Sequence, residues 1–259
     1  MNPVQPLARP RTALASTARA VPFRSLVRAE LHRTRQTRST LVLVAVVVGI
    51  ALGLLVLRTI LGRTAGIPLG PEAVTLGTDL VGFAVLLAAA VSTARDHQTG
   101  SIDLMRTLTP ARARHFAASA TGIGVFALAA VGAVIVADIA TVLAFDLADV
   151  DAGLADPIAR ALVVTVLLAW AGVGIGASTR STAAATFTAI MLFWLLPLGF
   201  LTAGLAGAAW ALPVSDAVLG LLVADAIAPG PAHWVEVGGI ALWAVALVGL
   251  GVLRDTKGT

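Results

Sequence analysis

Long apolar runs alternate with short polar stretches along this 259-residue chain. A bilayer core about 30 Å thick is crossed by a helix of about 20 apolar residues, and six runs are of that order. They lie at 40–57, 76–94, 116–145, 161–179, 182–210 and 237–253. The runs are rich in Gly and Ala and lack the alternation of polar and apolar positions typical of barrel strands. The pattern therefore predicts an all-α, polytopic membrane protein with six transmembrane helices.

The composition agrees with a membrane protein. Hydrophobic residues make up 58% of the chain and charged residues 12%, whereas soluble domains contain about 25% charged residues. Too few charges are present to cover a soluble surface of this size. The chain contains no cysteine, which excludes disulfides, thiolate metal sites and cysteine nucleophiles.

Basic residues are concentrated on one side of the predicted membrane domain. Of the 18 Lys and Arg residues, eight lie in 1–39, four in 95–114 and two in 254–259, and Arg180 lies in the turn after the fourth span. Only three fall on the other side, where most acidic residues lie. The excess of positive charge on cytoplasmic loops then predicts that both termini are cytoplasmic, in a multi-pass protein of the cytoplasmic membrane.

The N-terminal region divides into two parts, ahead of a six-span domain at 40–253 and a cytoplasmic tail at 254–259. Residues 1–20 are rich in Pro, Arg and Ala, which predicts a disordered tail. Residues 21–39 predict an amphipathic elbow helix on the membrane surface. This helix either anchors the first span to lipid or also contacts a cytoplasmic partner. Its apolar residues at helical spacing are Phe23, Leu26, Val27 and Leu31.

The polar stretch 96–114, between the second and third runs, has more structure than a plain connector needs. Gly100 permits a sharp exit from the second span, Thr99 or Ser101 can cap a helix, and Pro110 disfavours helix at the residue before it. The result is a helix of about two turns outside the membrane, whose apolar side must be covered by lipid headgroups or by a protein. That side consists of Ile102, Leu104, Met105 and Leu108.

This stretch resembles the first cytoplasmic loop of permeases of type-2 ATP-binding-cassette (ABC) exporters. The family pattern is an acidic residue, three more, Gly-Thr, about nine residues, then Pro and a basic residue. Here these are Asp96, Gly100-Ser101, Pro110 and Arg112, with Ser in place of Thr and Asp in place of the commoner Glu. The chain length, the basic N-terminal helix, the six spans and the topology also agree in outline.

The resemblance implies that the loop is a coupling helix docked on a separate ATPase subunit. It implies two copies of that ABC ATPase, which bind ATP and Mg, and a second permease chain in a homo- or heterodimer. This chain has no GxxxxGK[ST] P-loop, so we expect neither enzyme activity nor a cofactor in it, and no nucleic-acid partner. The cargo would be an amphiphile such as a drug, antibiotic, lipid or peptide. The expected coupling residues are Asp96, Gly100, Ser101, Ile102, Asp103, Met105, Leu108, Pro110 and Arg112.

The loop between the fifth and sixth runs is apolar but interrupted by acids and prolines. It predicts either a pair of re-entrant helices from about 215 to 228, which is tolerated at membrane depth when buried in protein, or an ordinary interfacial loop.

Asp138 interrupts the third apolar run. A buried carboxylate in a membrane costs several kcal/mol unless it is paired, hydrated or protonated. Asp138 therefore either lines a polar translocation path or is neutral and bonded to a neighbouring helix.

Two Gly-x-x-x-Gly pairs, Gly49–Gly53 in the first run and Gly172–Gly176 in the fourth, predict close helix packing. Each pair packs either within one subunit or at a dimer contact. Of the two pairs, Gly49–Gly53 is the better candidate for the dimer contact.

Other functions remain open at this point. An aspartyl intramembrane enzyme would use Asp79 and Asp138, although no GxGD motif surrounds either residue. A proton-coupled secondary transporter would work through Asp138 without a partner chain. An auxiliary or assembly protein of the membrane is a further alternative.

Overall fold

The computed structural model describes residues 22–36, 42, 45–46, 48–54, 56–57, 60, 77–102, 112–144, 154–208, 210–228 and 233–257. No strand occurs in these ranges, and the predicted all-α class is confirmed for them. The predicted N-terminal tail lies outside the described residues. The helices are α1 Phe23–Gln36, α2 Thr78–Gln98, α3 Arg112–Ala144, α4 Ala155–Thr179, α5 Thr182–Leu205, α6 Ala211–Asp216, α7 Leu219–Ile227 and α8 Trp234–Lys257.

Five helices, α2, α3, α4, α5 and α8, are long and apolar enough to cross a membrane. The chain is therefore a multi-pass membrane protein, as the apolar runs predict. The first predicted span, 40–57, is described only in part, and its described residues are helical. The count of six spans, and the position of α1 on a membrane surface, stay predictions.

Several helix ends differ from the limits of the apolar runs. Helix α2 continues four residues beyond Ala94, α4 begins at Ala155 instead of 161, and α5 ends at Leu205. The expected helical pair between the last two spans is present as α6 and α7, and it begins at Ala211. A charged residue ends an apolar run in the sequence. It does not end the helix when its side chain has a hydrogen-bond or ion-pair partner.

Helix α4 lies at the centre of the bundle, because its glycines allow close approach on two sides. A Cβ at Gly172 would lie 2.7 Å from Ala89 Cβ, and one at Gly176 would lie 2.7 Å from Thr93 Cβ, both on α2. A Cβ at Gly174 would lie 2.5 Å from the carbonyl oxygen of Leu247 on α8. Gly172 and Gly176 therefore serve packing within the chain.

These contacts also fix the relative directions of the helices. Gly82 faces Leu168, and Gly176 faces the Ala90 carbonyl, so residue numbers rise together and α2 runs parallel to α4. Helix α8 is parallel to α4 as well. The carboxyl ends of α2, α4 and α8 thus lie at one end of the bundle, here called the basic end. At this end Arg180 Nη2 donates to the carbonyl of Arg254 over 2.7 Å. The opposite end is called the acidic end.

Candidate functional site

At the basic end, α1 packs against the first turns of α3 through a buried acid. Glu30 is only 5% exposed. Gly122 of α3 makes room for it, since a Cβ there would lie 2.9 Å from Glu30 Cγ. Ser119 Oγ donates to Glu30 Oε1 over 2.9 Å. Leu26, Val27 and Leu31 are partly buried on the same side, whereas Phe23 is exposed, so the centre of the buried face is a carboxylate.

Arg33, one turn further along α1, connects this acid to the end of α2. Its Nη1 donates to Asp96 Oδ2 over 2.5 Å, and its Nη2 donates to Glu30 Oε1. The acidic residue of the loop pattern, Asp96, is thus ion-paired with α1. Three helices that meet at the basic end are joined by one guanidinium and two carboxylates.

The Arg33 guanidinium stays charged in this setting. Burial lowers its pKa, but the negative charges of Glu30 and Asp96 and their hydrogen bonds outweigh burial, and the net effect raises the pKa above its ordinary value. Because Arg33 and Asp96 are both partly exposed, solvent screens their attraction and the stabilisation is modest.

Helix α2 ends in a sharp turn at Gly100, as its sequence predicts. Gly100 has φ +70, in the left-handed region that favours glycine. Thr99 Oγ1 donates to the Arg95 carbonyl over 3.0 Å, and Ser101 Oγ donates to the Asp96 carbonyl over 3.1 Å. Ser101 thereby closes the last turn of α2. Helical geometry resumes at Ser101 and Ile102.

The structure brings Asp96, Gly100, Ser101 and Ile102 together at the end of α2. The remaining residues of the expected coupling loop, Asp103, Met105, Leu108 and Pro110, lie outside the described residues, and so does the predicted two-turn helix beyond Ile102. Arg112 is the first residue of α3.

Asp138 lies on α3, far from this site, and is fully buried. Neither of its carboxylate oxygens has a hydrogen-bond donor among the described residues. Buried polar atoms usually have such a partner, so Asp138 is an exception that asks for a functional explanation. Gly124 of α3 faces Val166 and Trp170 of α4. Counting along the antiparallel pair from this contact puts Asp138 level with the start of α4.

Gly49 and Gly53 differ from the glycines of α4. Both are exposed, and a Cβ at either position would meet no described atom within 4 Å. Ala51, between them in sequence, is fully buried and packs against Gly77. The described part of the first predicted span therefore presents Gly49 and Gly53 outward, away from the described bundle.

Sequence reasoning missed Glu30, Arg33 and Ser119. One signal was available: Glu30 is the only acidic residue before Glu72, in a segment rich in arginine. A lone acid among basic residues on an amphipathic helix points to a specific partner. The identity of that partner depends on contacts distant in sequence.

No family model matches the chain, and no curated protein matches it. The fold defines the class of protein: the chain is an α-helical multi-pass membrane protein. It has a polar cluster where α1, α2 and α3 meet.

Proposed function

We propose that this chain is the permease subunit of an ATP-driven type-2 ABC exporter, which moves an amphiphilic substrate across the cytoplasmic membrane. The observation that carries the proposal is the ion pair between Arg33 and Asp96. It joins the N-terminal helix to the base of the loop that resembles the coupling loop of that family.

The geometry at this loop suits the transmission of force. Helix α2 is continuous over 21 residues, about 30 Å at 1.5 Å per residue, and the loop begins directly at its end. A partner that pushes on the loop would tilt α2 as a rigid rod, and Arg33 would carry α1 with it. Interfaces of this kind convert small displacements into a change between two packed states.

The basic end is the cytoplasmic end in this proposal. Described arginines at or near it include Arg95, Arg114, Arg180 and Arg254, and positive charge favours the cytoplasmic side. Two copies of an ABC ATPase, which bind ATP and Mg, would dock there, and both termini of this chain would lie on the same side.

A second permease chain completes the transporter. The outward glycine face of the first span, with Gly49 and Gly53, suits close approach of another helix. Helix α5 is also mostly unburied in the single chain and exposes large side chains such as Phe187, Leu198 and Leu205. Asp138 lies on the translocation path in this proposal.

Co-purification from the native membrane in mild detergent tests the proposal. We expect a stoichiometric P-loop ATPase with the wild-type chain and its loss with Ile102→Glu, which places a charge on the docking side of the loop. The matched control is Ala113→Glu, since residue 113 is exposed at the start of α3. Absence of an ATPase from all three samples, each well folded, would overturn the proposal.

A proton-coupled secondary transporter is the second candidate, and the buried, donor-less carboxylate of Asp138 favours it. Such a carrier would lose activity with Asp138→Asn and tolerate Ile102→Glu. The exporter should lose activity with Ile102→Glu.

A further inference from the structure

A fully buried arginine lies at the acidic end of the bundle. Arg160, in the second turn of α4, has no exposed surface. Its Nη1 donates to the carbonyl oxygens of Ala226 and Ala228 over 2.7 and 3.0 Å, and its Nε donates to Asp156 Oδ2 over 3.0 Å. The guanidinium thus forms hydrogen bonds with its own helix, through Asp156, and with a neighbouring element, through the carbonyls of Ala226 and Ala228.

The two carbonyl groups belong to the carboxyl end of α7. The last carbonyls of a helix have no partner within it, and they carry the negative pole of the helix dipole. Arg160 supplies both donors and a positive charge at that point. Helix α7 has nine residues, and a helix of that length depends on its surroundings for stability.

Asp156 holds the arginine in position. While its Oδ2 accepts from Arg160, its Oδ1 accepts from Trp234 Nε1 over 3.0 Å. Trp234 is the first residue of α8. One carboxylate therefore connects α4, the arginine and the start of the last span.

The other end of α7 packs on an irregular part of α5. A Cβ at Gly220 would overlap the carbonyl oxygen of Phe193 and lie 3.0 Å from Pro197 Cγ. Pro197 has no N–H to donate to the carbonyl four residues earlier, which is that of Phe193. The preceding turn, Met191–Leu195, is π-helical, a form often found at functional sites. Only glycine at position 220 allows this close approach.

Helix α7 thus contacts α4 at its carboxyl end and α5 at its amino end, and it also packs against α8, where a Cβ at Gly239 would lie 3.2 Å from Leu222 Cδ1. Between its two ends, Leu219, Val223 and Ala226 are fully buried. A separation of α4 from α5 at the acidic end requires α7 to leave one of these two helices. The contact with Phe193 is steric and apolar, whereas the bonds of Arg160 to two carbonyl groups can be exchanged for water.

We propose that α7 is a lid over the acidic end and that Arg160 is the latch that holds it closed, the lid opening when the carboxyl end of α7 leaves Arg160. The assignment of the lid to the external side rests on the proposed function. The latch itself rests on the contacts of Arg160 and Gly220.

The absence of cysteine from the chain makes single-cysteine labelling a direct test, with the full chain in its native membrane. The probe position is Ala226→Cys, which is buried. The matched control is Ala224→Cys, two residues away on the exposed side of α7. A third variant, Ala94→Cys, reports a buried site at the basic end. A membrane-impermeant maleimide is applied to vesicles of both orientations, and labelling rates are compared with Arg160 intact and with Arg160→Met.

We expect Arg160→Met to raise the labelling rate of Cys at 226 by about tenfold or more, because two hydrogen bonds from a charged donor are lost. The rate at 224 should not change, and position 94 should stay protected. Continued protection of position 226 in the Arg160→Met variant would overturn the proposal that Arg160 holds α7 closed. Simultaneous labelling of 94 would also overturn it, since Arg160 would then support the whole bundle.

A second variant keeps the proposal testable if Arg160→Met does not insert into the membrane. Gly220→Ala places a methyl group against the Phe193 carbonyl and lifts the other end of α7 without touching Arg160. With a probe at Leu219→Cys, which is also buried, this variant should be labelled at the amino end of α7, while position 226 should stay protected because Arg160 is intact. Protection of 219, or labelling of 226, would contradict the proposal. These readouts need neither cargo nor ATPase, and the vesicle orientation in which 224 reacts reports the sidedness separately.

Discussion

Nη1 of Arg33 lies 2.5 Å from Oδ2 of Asp96, across 63 positions of the sequence. Because Arg33 also bonds Glu30, and Ser119 bonds the same acid, the end of α2 is tied to α1 and to the start of α3. Any force on the loop after Gly100 therefore reaches three helices.

The first prediction concerns this ion pair. Asp96→Asn should lower the stability by about 1 kcal/mol, since its pair with Arg33 is partly exposed. Arg33→Gln should cost more, because it also leaves the buried Glu30 without its cation, and the double variant should cost less than the sum. Thermal unfolding in detergent measures the cycle. Arg95→Gln, an exposed neighbour, should leave the unfolding temperature unchanged, and additive effects at 33 and 96 would show that the two residues do not interact.

The turn at Gly100 gives a second prediction. Gly100→Ala should destabilise the protein by roughly 1–2 kcal/mol through backbone strain alone, since no described atom lies within 4 Å of a Cβ there. Gly132→Ala is the control, because Gly132 also has open space around it but is in the middle of α3, where Ala favours helix. Equal effects of the two changes would argue against a strained turn.

The two glycine pairs should respond in opposite ways. Gly172→Leu places a side chain against α2 and should prevent folding or lower the stability by several kcal/mol. Gly49→Leu should leave the single chain folded and weaken its association with a second copy or related permease. Size-exclusion chromatography and cross-linking in membranes measure both effects. If the Gly49→Leu variant is folded and fully dimeric, the first predicted span does not form the dimer contact.

Removal of the buried Asp138 carboxyl group should change stability and transport in opposite directions. Asp138→Leu should raise the stability by about 1 kcal/mol or more, because it removes the cost of burying a carboxyl group that has no hydrogen-bond partner among the described residues. Transport should nevertheless be lost if Asp138 lies on the translocation path. A variant that is stable and fully active would give Asp138 no role in transport.

A pH dependence is expected at the acidic end. Burial raises the pKa of Asp225 on α7, and the negative charges of Asp216 and Glu236 raise it further, while His233 opposes them. A carboxyl whose pKa is raised in the folded protein favours folding when protonated. The stability should thus fall as the pH rises from the ordinary value of 3.8 through the raised pKa. Asp225→Asn should flatten this slope in unfolding experiments at several pH values, and an unchanged slope would contradict the assignment.

Five of the six predicted spans coincide with helices long and apolar enough to cross a membrane, because runs of apolar residues have few other structures available in lipid. The sequence also predicted the turn at Gly100. It failed at the start of α4, where Asp156 and Arg160 lie outside the apolar run although the helix includes them. Their partners are Trp234 and two carbonyls near residue 226, more than 60 positions away, and no local pattern reveals such contacts.

The polar cluster of Glu30, Arg33, Asp96 and Ser119 shows the same limit. Helical spacing marks the apolar positions Leu26, Val27 and Leu31, and it misses the acid between them that α3 accommodates through Gly122. The GxxxG pattern alone also does not distinguish Gly172, packed inside the bundle, from Gly49, which faces outward.

Site-specific photocross-linking tests the central claim most directly. A photoreactive amino acid is placed at Ile102, beside the base of the loop, and in a parallel sample at Ala224 on the opposite end of the molecule. We predict that position 102 cross-links to an ABC ATPase chain in the native membrane and that position 224 does not. An efficient probe at 102 that captures only lipid, or no chain with a P-loop, would contradict the exporter account.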